Sequence, residues 1–342
     1  MSDPAEVLRI IHGTLRDSKV NAFAVVKDEQ FYIRSFLDHH RRIGVEQFVI
    51  LDDHSTDGTR ELLASQPDCV VVESPYTYGQ EISLPGPAGE RRLRAGIAFK
   101  TLLPRKYLAG RYAICLDADE YLVLPPGVAT LGELVDLLAR HDVACVAGTL
   151  VDFFPATLAE MQQRREFPTA EAMLGAHAYF DAVPLLDWRQ GATEFQRNDY
   201  SATGRLFRKH HVKTVPDFML RAPRWLNRAL PFRCPRTSVS KMPIVRWDPG
   251  VEYVNSHRAS VPPSSKVLVG LAHLKFTCDL ARRVEYALES KVYVRGSRKY
   301  LWYVELLRSM RAGDGSFLGP DSRRYTGPAD FAAAGLTQLD LA

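Results

Sequence analysis

The chain has 342 residues, of which 46% are hydrophobic and 25% are charged, and its formal net charge is +4. These values are ordinary for a folded, soluble protein and exclude a disordered one. No charge-free apolar stretch approaches the ~20 residues that a membrane-spanning helix needs, and Asp3, Glu6 and Arg9 interrupt any signal-peptide core. Five cysteines without a C-x-x-C pair suit a reducing compartment, so we expect a cytoplasmic protein.

The net charge hides a strong division along the chain. Residues 201–300 contain 20 Lys and Arg against 6 Asp and Glu, a local balance of +14. The rest of the chain contains 24 basic and 34 acidic residues, a balance of −10. Such a contrast is typical of a site for an anionic ligand or of a surface for nucleic acid or phospholipid, and a solvated basic face is the alternative.

Up to residue 155, short apolar runs alternate with amphipathic stretches, which predicts an α/β fold with a mostly parallel sheet flanked by helices. Strands are predicted at Asn21–Val26, Gln47–Leu51, Cys69–Glu73, Tyr112–Leu116 and Val143–Val151. Helices are predicted at Gln30–Ile43, from a Ser55 cap through Leu63, at Glu90–Leu103 and at Leu131–Arg140. The loop between Ser74 and Gly89 is long enough to be a functional one.

After residue 155 the pattern becomes less regular. Short strands are predicted at Arg205–Arg208, Val239–Val245 and Val251–Asn255, and helices at Asp279–Val292 and Ser297–Met310. We therefore divide the chain into a nucleotide-binding half, residues 1–155, and a basic half, residues 156–312, that completes the site. Residues 313–342 contain Gly and Pro and are expected to form a poorly ordered tail.

The strongest local signal is the segment 112–122, Y-A-I-C-L-D-A-D-E-Y-L. An apolar strand leads directly into Asp117 and Asp119, and residues two apart in an extended chain point to the same side. Carboxylate oxygens in this arrangement suit Mg²⁺ or Mn²⁺. The alternative is a solvated acidic turn after a buried strand.

A second strand, within the segment 48–59, F-V-I-L-D-D-H-S-T-D-G-T, also ends in two carboxylates. Asp52 and Asp53 come where open α/β sheets bind their ligands, and a carboxylate there can accept hydrogen bonds from a ribose or a base. Helix capping accounts for Ser55 and Asp57, but it does not account for the two preceding aspartates.

Together with Lys27-Asp28-Glu29, these two segments resemble the family 2 glycosyltransferases with the GT-A fold. The resemblance is to the branch with V-K-N-E, D-x-S-x-D-x-T and D-x-D-E-[FY]-L motifs, and it covers residues 21–124, with weaker matches between 200 and 300. The chain departs from the branch at Asp28, where Asn is usual. The resemblance implies a Rossmann-like nucleotide-diphospho-sugar transferase domain with a C-terminal helical extension, in which residues 1–155 bind the nucleotide sugar.

The resemblance also implies roles on the donor side. Asp52 would bind the base or ribose, and Asp53 or Asp57 would support the loop. Lys27 and Glu29 would lie beside the nucleotide, and Asp117 would contact the ribose or the metal. Three arginines on the predicted helix after the long loop would reach the diphosphate: Arg91, Arg92 and Arg94.

A metal site is the third implication. Asp117 and Asp119 would bind Mn²⁺ or Mg²⁺, and a later histidine would complete the site, with His257 preferred and His273 as the alternative. The ion would neutralise the charge that develops on the departing diphosphate. His39 and His40 are expected to be structural, because they lie on the first helix near its packed face.

The expected function is a metal-dependent, inverting transfer of a sugar from a nucleoside diphosphate sugar to a glycan, a lipid-linked acceptor or a small molecule. Such a transfer needs a base, and a carboxylate is the usual one. Asp187, Glu194 and Asp199 are the candidates, unranked. Peripheral association with the inner face of a membrane is left open, and no nucleic acid partner is expected.

Other functions explain fewer of these features. A D-x-D phosphatase of the haloacid-dehalogenase type usually has Thr or Val two residues after the second Asp, where this chain has Tyr121. A sugar nucleotidyltransferase has a Gly-rich loop after the first strand, where this chain has V-K-D-E. The basic segment carries no nucleic-acid-binding motif. A non-catalytic nucleotide-sugar-binding protein is separated from the enzyme only by assay.

Overall fold

The computed structural model describes residues 4–86, 89–187, 195–197, 200–212, 238–291, 297 and 299–341. The strands are β1 (Arg9–His12), β2 (Asn21–Val26), β3 (Gln47–Asp52), β4 (Cys69–Glu73), β5 (Glu81–Gly86), β6 (Gly89–Arg94), β7 (Tyr112–Cys115), β8 (Glu120–Val123), β9 (Cys145–Asp152), β10 (Tyr179–Asp181), β11 (Leu186–Asp187), β12 (Phe195–Gln196), β13 (Ser240–Arg246), β14 (Val267–His273), β15 (Ser322–Arg324) and β16 (Gln338–Leu339).

A 3₁₀ turn at Pro4–Val7 precedes the helices. These are α1 (Gln30–Arg42), α2 (Thr59–Ala64), α3 (Ala95–Tyr107), α4 (Leu131–Arg140), α5 (Leu158–Met161), α6 (Ala170–Ala176), α7 (Ala202–Lys209), α8 (Leu280–Ser290), α9 (Lys299–Ala312) and α10 (Pro328–Ala333). Among the described residues, no helix combines the length and the hydropathy that crossing a bilayer requires.

A ten-stranded sheet forms the centre of the fold, in the order β1-β4-β3-β2-β7-β13-β9-β14-β16, with β8 paired to β14. Strands β4, β3, β2 and β7 are parallel neighbours, and β9 is parallel to β14. Strand β13 lies antiparallel between β7 and β9. The predicted α/β class, a sheet flanked by helices with most strands in one direction, is confirmed. Because β13 and β14 come from the second half of the chain, both halves build the same sheet.

Most of the elements predicted before residue 155 are present. Their apolar residues, which recur at helical or strand spacing, are buried in the core. All of β3 is buried, as expected for a central parallel strand. Helix α1 packs through Tyr32, Ile33, Phe36 and Leu37. Helix α4 has the predicted bounds because Thr130 and Glu133 form a capping box at its start.

The predicted helix at Glu90–Leu103 is wrong in its first part. Residues Gly89–Arg94 form strand β6, which pairs with β5 as a hairpin, and helix α3 begins only at Ala95. The sequence E-R-R-L-R favours a helix by intrinsic propensity. Pairing across the hairpin overrides this preference, with Glu81 opposite Arg94. Helix α3 also continues through Pro104 to Tyr107.

Two short strands predicted in the basic half are also wrong. Residues Arg205–Arg208 lie in helix α7, whose first turn is capped by the Ser201 side chain. Residues Val251–Asn255 form no strand, and only Tyr253 makes an isolated bridge, to Ala259. Strand β13 confirms the prediction at Val239–Val245 to within one residue at each end.

Residues 313–341 are not a poorly ordered tail. Strand β15 pairs with β10, and β16 pairs with β14 at the edge of the main sheet. The ring of Phe331 is completely buried and contacts the rings of Phe153, Phe180 and Tyr325. The Gly and Pro content suggested disorder, but burial of this aromatic side chain anchors the segment.

Replacing Gly270 by Ala tests this anchoring. A Cβ at position 270 would overlap the Phe331 ring, so we expect G270A to lower the free energy of unfolding by about 1–3 kcal/mol. Urea unfolding followed by circular dichroism measures the loss. Gly175→Ala in α6 is the matched control, because its added methyl group meets no atom within 4 Å. Equal stability of G270A and the wild type would contradict the packing of Phe331 on β14.

Candidate functional site

The carboxyl ends of β2, β3 and β7 meet at one edge of the sheet, because these strands are parallel neighbours. Lys27-Asp28-Glu29 follows β2, Asp52 and Asp53 lie at the end of β3, and Asp117 and Asp119 follow β7. Strand β14 ends at the same place, with His273 opposite Glu120 of β8 and Asp152 of β9. The sheet therefore brings together the acidic motifs of the first half and a histidine of the basic half.

Asp117 is held by two lysines that the sequence analysis did not single out. Lys100 Nζ lies 2.9 Å from Asp117 Oδ1, and Lys241 Nζ lies 3.1 Å from Oδ2. The lysine side chains are 3% and 0% exposed, whereas that of Asp117 is 42% exposed. Burial raises the pKa of Asp117, but the two ammonium groups outweigh it and hold this pKa well below its usual range. Asp117 is thus an anion with cations on one side and solvent on the other.

Glu120 fixes the turn between the two motif aspartates. Its Oε2 accepts a hydrogen bond of 2.9 Å from the backbone N–H of Asp117, and it also forms an ion pair with Lys241. Both the Glu120 and the Lys241 side chains are buried. The D-x-D-E motif therefore includes a buried glutamate that positions the backbone rather than one that faces solvent.

Asp119 pairs with Arg283, which the sequence analysis also missed. Arg283 Nη1 lies 2.6 Å from Asp119 Oδ2, and Nη2 lies 2.6 Å from Glu29 Oε2. The guanidinium lies 4.5 Å from the centre of the Tyr32 ring. Burial raises the pKa of Asp119, but the effects of Arg283 and His273 outweigh burial. The net result is a pKa below the usual range, so this carboxylate is ionised. The only sequence signal was a pair of arginines at the start of the predicted closing helix.

The two candidate histidines have different surroundings. His273 lies between carboxylates, with Nε2 3.4 Å from Asp119 Oδ2 and Nδ1 3.2 Å from Asp152 Oδ1. Burial lowers its pKa, but these carboxylates outweigh burial and raise the pKa to about 9. His257 donates from Nδ1 to the Ser240 carbonyl, 3.1 Å away. Burial, together with two nearby lysines, lowers the pKa of His257 to about 3. His273 is therefore a cation beside Asp119, and His257 is neutral.

As arranged here, these residues do not fit the expected Mn²⁺ or Mg²⁺. Within the part of the chain that the structure describes, no group of three or more His, Cys, Asp or Glu could hold a metal ion. Hard divalent cations need oxygen ligands whose negative charge is not already paired with another cation. Asp117 and Asp119 are each already paired with two cationic side chains.

Asp52 and Asp53, at the end of β3, hold the loops beside the site. Asp52 is completely buried, and its carboxylate accepts from Arg60 at 2.7 Å. Asp53 accepts a hydrogen bond of 3.0 Å from the Tyr78 N–H. Lys27 Nζ donates to the carbonyl oxygens of Asp53 and His54, at 3.1 and 2.9 Å. Asp52 and Lys27, which were predicted to lie at the donor, are engaged in contacts within the protein, and Asp53 holds the loop that contains Tyr78.

Ser55 does not cap a helix, contrary to the sequence-based prediction. Helix α2 begins at Thr59, after Gly58 in the left-handed region. Ser55 Oγ instead accepts a hydrogen bond of 2.9 Å from the N–H of Asp28. Asp57 accepts one of 2.9 Å from Gln30 at the start of α1. The D-x-S-x-D segment thus ties the β3–α2 loop to the β2–α1 loop.

The structure is compatible with either Asp or Asn at position 28. Asp28 has a φ of 52°, in the left-handed region that Asn and Asp tolerate best among residues other than glycine. Its Oδ1 accepts a hydrogen bond of 2.7 Å from the Thr56 N–H. Either residue supplies this backbone conformation and this acceptor.

Arg91, Arg92 and Arg94 lie on strand β6, not on the predicted helix. Arg91 pairs with Glu252 at 2.8 Å and donates to the Val254 carbonyl at 3.1 Å. The Arg91 guanidinium therefore links the hairpin to the loop that contains His257. Arg92 is exposed and Arg94 is half-buried.

Of the three candidate bases, Asp187 is described only through its backbone, at the end of β11. Glu194 and Asp199 lie outside the described residues. The base stays a prediction.

His39 and His40 of α1 hold the strand that carries the end of the D-x-D-E motif. His39 donates from Nε2 to the Leu122 carbonyl at 2.8 Å, and His40 Nε2 accepts from the Leu122 N–H at 3.3 Å. Leu122 follows the D-x-D-E turn by two residues, so α1 fixes the strand that carries this turn.

Acidification is expected to destabilise the protein through these histidines. Burial lowers the pKa of His39 from 6.5 to about 4, and that of His40 well below its usual range. Between these pH values the unfolded chain binds more protons than the folded one, so stability falls as the pH falls. Urea midpoints at pH 7 and pH 5 should differ less for His39→Gln than for the wild type. An equal difference in both proteins would contradict this assignment.

No protein-family model matches the chain, and no curated protein matches it. Among solved structures, it is similar to S. aureus TarS, with 13% identity and a TM-score of 0.28. That match covers 57% of this chain and 30% of the TarS chain. A UDP-glucose pyrophosphorylase complexed with UDP-glucose is similar at 9% identity and a TM-score of 0.26, over 52% of this chain and 68% of that one. Neither likeness is close enough to bear on the function.

Proposed function

We propose that the protein is a glycosyltransferase that uses a nucleoside diphosphate sugar. The observation that carries the proposal is Asp117, an ionised and half-exposed carboxylate that two buried lysines hold at the carboxyl end of a central parallel strand. Open α/β sheets bind their ligands at this edge. The resemblance of residues 21–124 to family 2 glycosyltransferases supports the same class of donor.

The residues divide the work as follows. The free side of Asp117 accepts hydrogen bonds from the ribose hydroxyls, while Lys100 and Lys241 keep the carboxylate ionised and in place. The clamps made by Asp52, Asp53 and Lys27 hold the loops against which the nucleotide lies. An inverting transfer then needs a carboxylate base on the acceptor side. The acceptor is a glycan, a lipid-linked glycan or a small molecule.

A thermal-shift screen of UDP-, GDP-, CDP- and ADP-sugars tests the proposal, because a ligand that binds only the folded state raises its Tm. We expect one nucleotide class to raise the Tm and to be hydrolysed slowly in the absence of acceptor. Asp117→Asn should remain folded and lose the shift. Asp136→Asn is the control, since Asp136 is an exposed carboxylate paired with Lys19. No shift and no hydrolysis with any of the sugars would contradict the proposal.

A further inference from the structure

We infer that the protein binds the donor diphosphate with its own cations, with Arg283 in the place expected for a divalent metal ion, so that donor binding does not require metal. The inference rests on the proposed function and assigns the part of that site that recognises the diphosphate. It reverses the expectation of Mn²⁺ or Mg²⁺ that followed from the D-x-D motif.

Arg283 lies where a cation shared by the motif and the first loop would lie. Its guanidinium bridges Asp119 and Glu29, with both N···O distances at 2.6 Å. A third N–H, on Nε, donates to Asp279 at 3.2 Å. A guanidinium has five N–H donors, so two are left for a ligand. The side chain is 24% exposed, and its Cζ lies 4.5 Å from the centre of the Tyr32 ring. Arg283 is thus a fixed fork that presents donors to solvent, which suits phosphate oxygens.

The carboxylates around Arg283 are already paired, so they offer little attraction to a second cation. Arg283 bridges Asp119 and Glu29 and also pairs with Asp279. The positive charge of its guanidinium repels a divalent cation and attracts the oxygens of a diphosphate.

The carboxylate of Asp117 is also already paired. Lys100 and Lys241 occupy both of its oxygens from the protein side. Lys241 is completely buried and is also paired with Glu120, so it cannot turn away without leaving buried charges unpaired. A metal ion bound to Asp117 would lie close to two ammonium groups. The charge of the Asp117 carboxylate is thus already balanced by the protein.

Calorimetric titration of the full chain with UDP, GDP, CDP and ADP, in EDTA and then in Mn²⁺, tests the inference. The nucleotide that binds should do so with affinities that differ by less than about threefold between the two buffers. Arg283→Gln removes the charge but keeps a hydrogen-bonding side chain, and it should weaken binding in EDTA by about tenfold or more. Arg308→Gln is the control, because Arg308 is an exposed arginine on α9 that pairs with neither Asp119 nor Glu29. Its affinity should stay within about threefold of the wild type.

The outcomes separate this inference from the proposed function. Binding that appears only with Mn²⁺, or an Arg283→Gln protein with wild-type affinity in EDTA, overturns the inference and leaves the glycosyltransferase proposal standing. No binding of any of these nucleotides in either buffer overturns both. The wild-type comparison of the two buffers needs no variant, so it decides the metal question even where Arg283→Gln fails to fold.

Discussion

Lys241→Met is expected to lower the free energy of unfolding by about 3–5 kcal/mol, the cost of removing one member of a buried ion pair. The Lys241 side chain is completely buried, and its ammonium group pairs with Glu120 and lies 3.1 Å from Asp117 Oδ2. Methionine fills a similar volume, so the loss reports the unpaired carboxylates rather than a cavity. Urea unfolding at pH 7, followed by circular dichroism, measures it.

Two further variants isolate the charge effect. Lys266→Met changes an exposed lysine and should alter stability by no more than about 0.5 kcal/mol. The double variant K241M/E120Q removes the buried carboxylate along with its partner, so it should be more stable than K241M alone. A loss below about 1 kcal/mol in K241M would show that Lys241 does not neutralise this cluster.

The sequence predicts that the acidic motifs of the first half lie close together, because its signals are local. Strands β2, β3 and β7 are short apolar runs, and the acidic residues that follow them lie together as soon as the strands are parallel. The alternation of apolar residues and the position of Asp117 directly after a strand need no knowledge of distant segments. The α/β class follows from the same alternation.

The cations of the site could not be predicted in this way. Lys100, Lys241 and Arg283 lie in α3, β13 and α8, and no spacing in the sequence relates them. A lysine within the apolar run A-G-I-A-F-K-T-L-L and another within the predicted strand Val239–Val245 were signs that buried lysines would need partners. The same limit applies to Phe331, whose burial depends on contacts with Phe153 and Phe180, which are far away in the chain.

The charge division along the chain is partly satisfied inside the protein. The basic segment 201–300 supplies Lys241, Arg283 and Lys275, and earlier segments supply Lys100 and the carboxylates with which these cations pair. The pairs are Lys241 with Asp117 and Glu120, Arg283 with Asp119 and Glu29, and Lys275 with Asp152. Part of the contrast between +14 and −10 therefore reflects ion pairs formed inside the protein. An internal pairing of this kind fixes the site before any ligand enters.

Asp119→Asn is expected to lower sugar transfer, or donor hydrolysis without acceptor, by about 100-fold, which corresponds to about 3 kcal/mol. Asparagine keeps the shape of the side chain but removes the charge that orients Arg283 and His273. Breaking one member of a buried, charge-assisted pair has a cost of this order. Release of nucleoside diphosphate from the donor found in the screen measures the loss, and circular dichroism checks the fold.

A comparison of this loss in EDTA and in Mn²⁺ distinguishes two roles for Asp119. If Asp119 acts by orienting Arg283, the variant should lose the same factor in EDTA and in Mn²⁺, and the wild type should be equally active in both. If Asp119 instead bound a metal ion, the wild type would lose activity in EDTA. The variant would then be slower than the wild type in Mn²⁺ but not in EDTA. Asp136→Asn should keep wild-type rates in both buffers, since its carboxylate is exposed and pairs with Lys19 on the surface. A wild-type rate in Asp119→Asn would show that the second aspartate of the motif takes no part in the reaction.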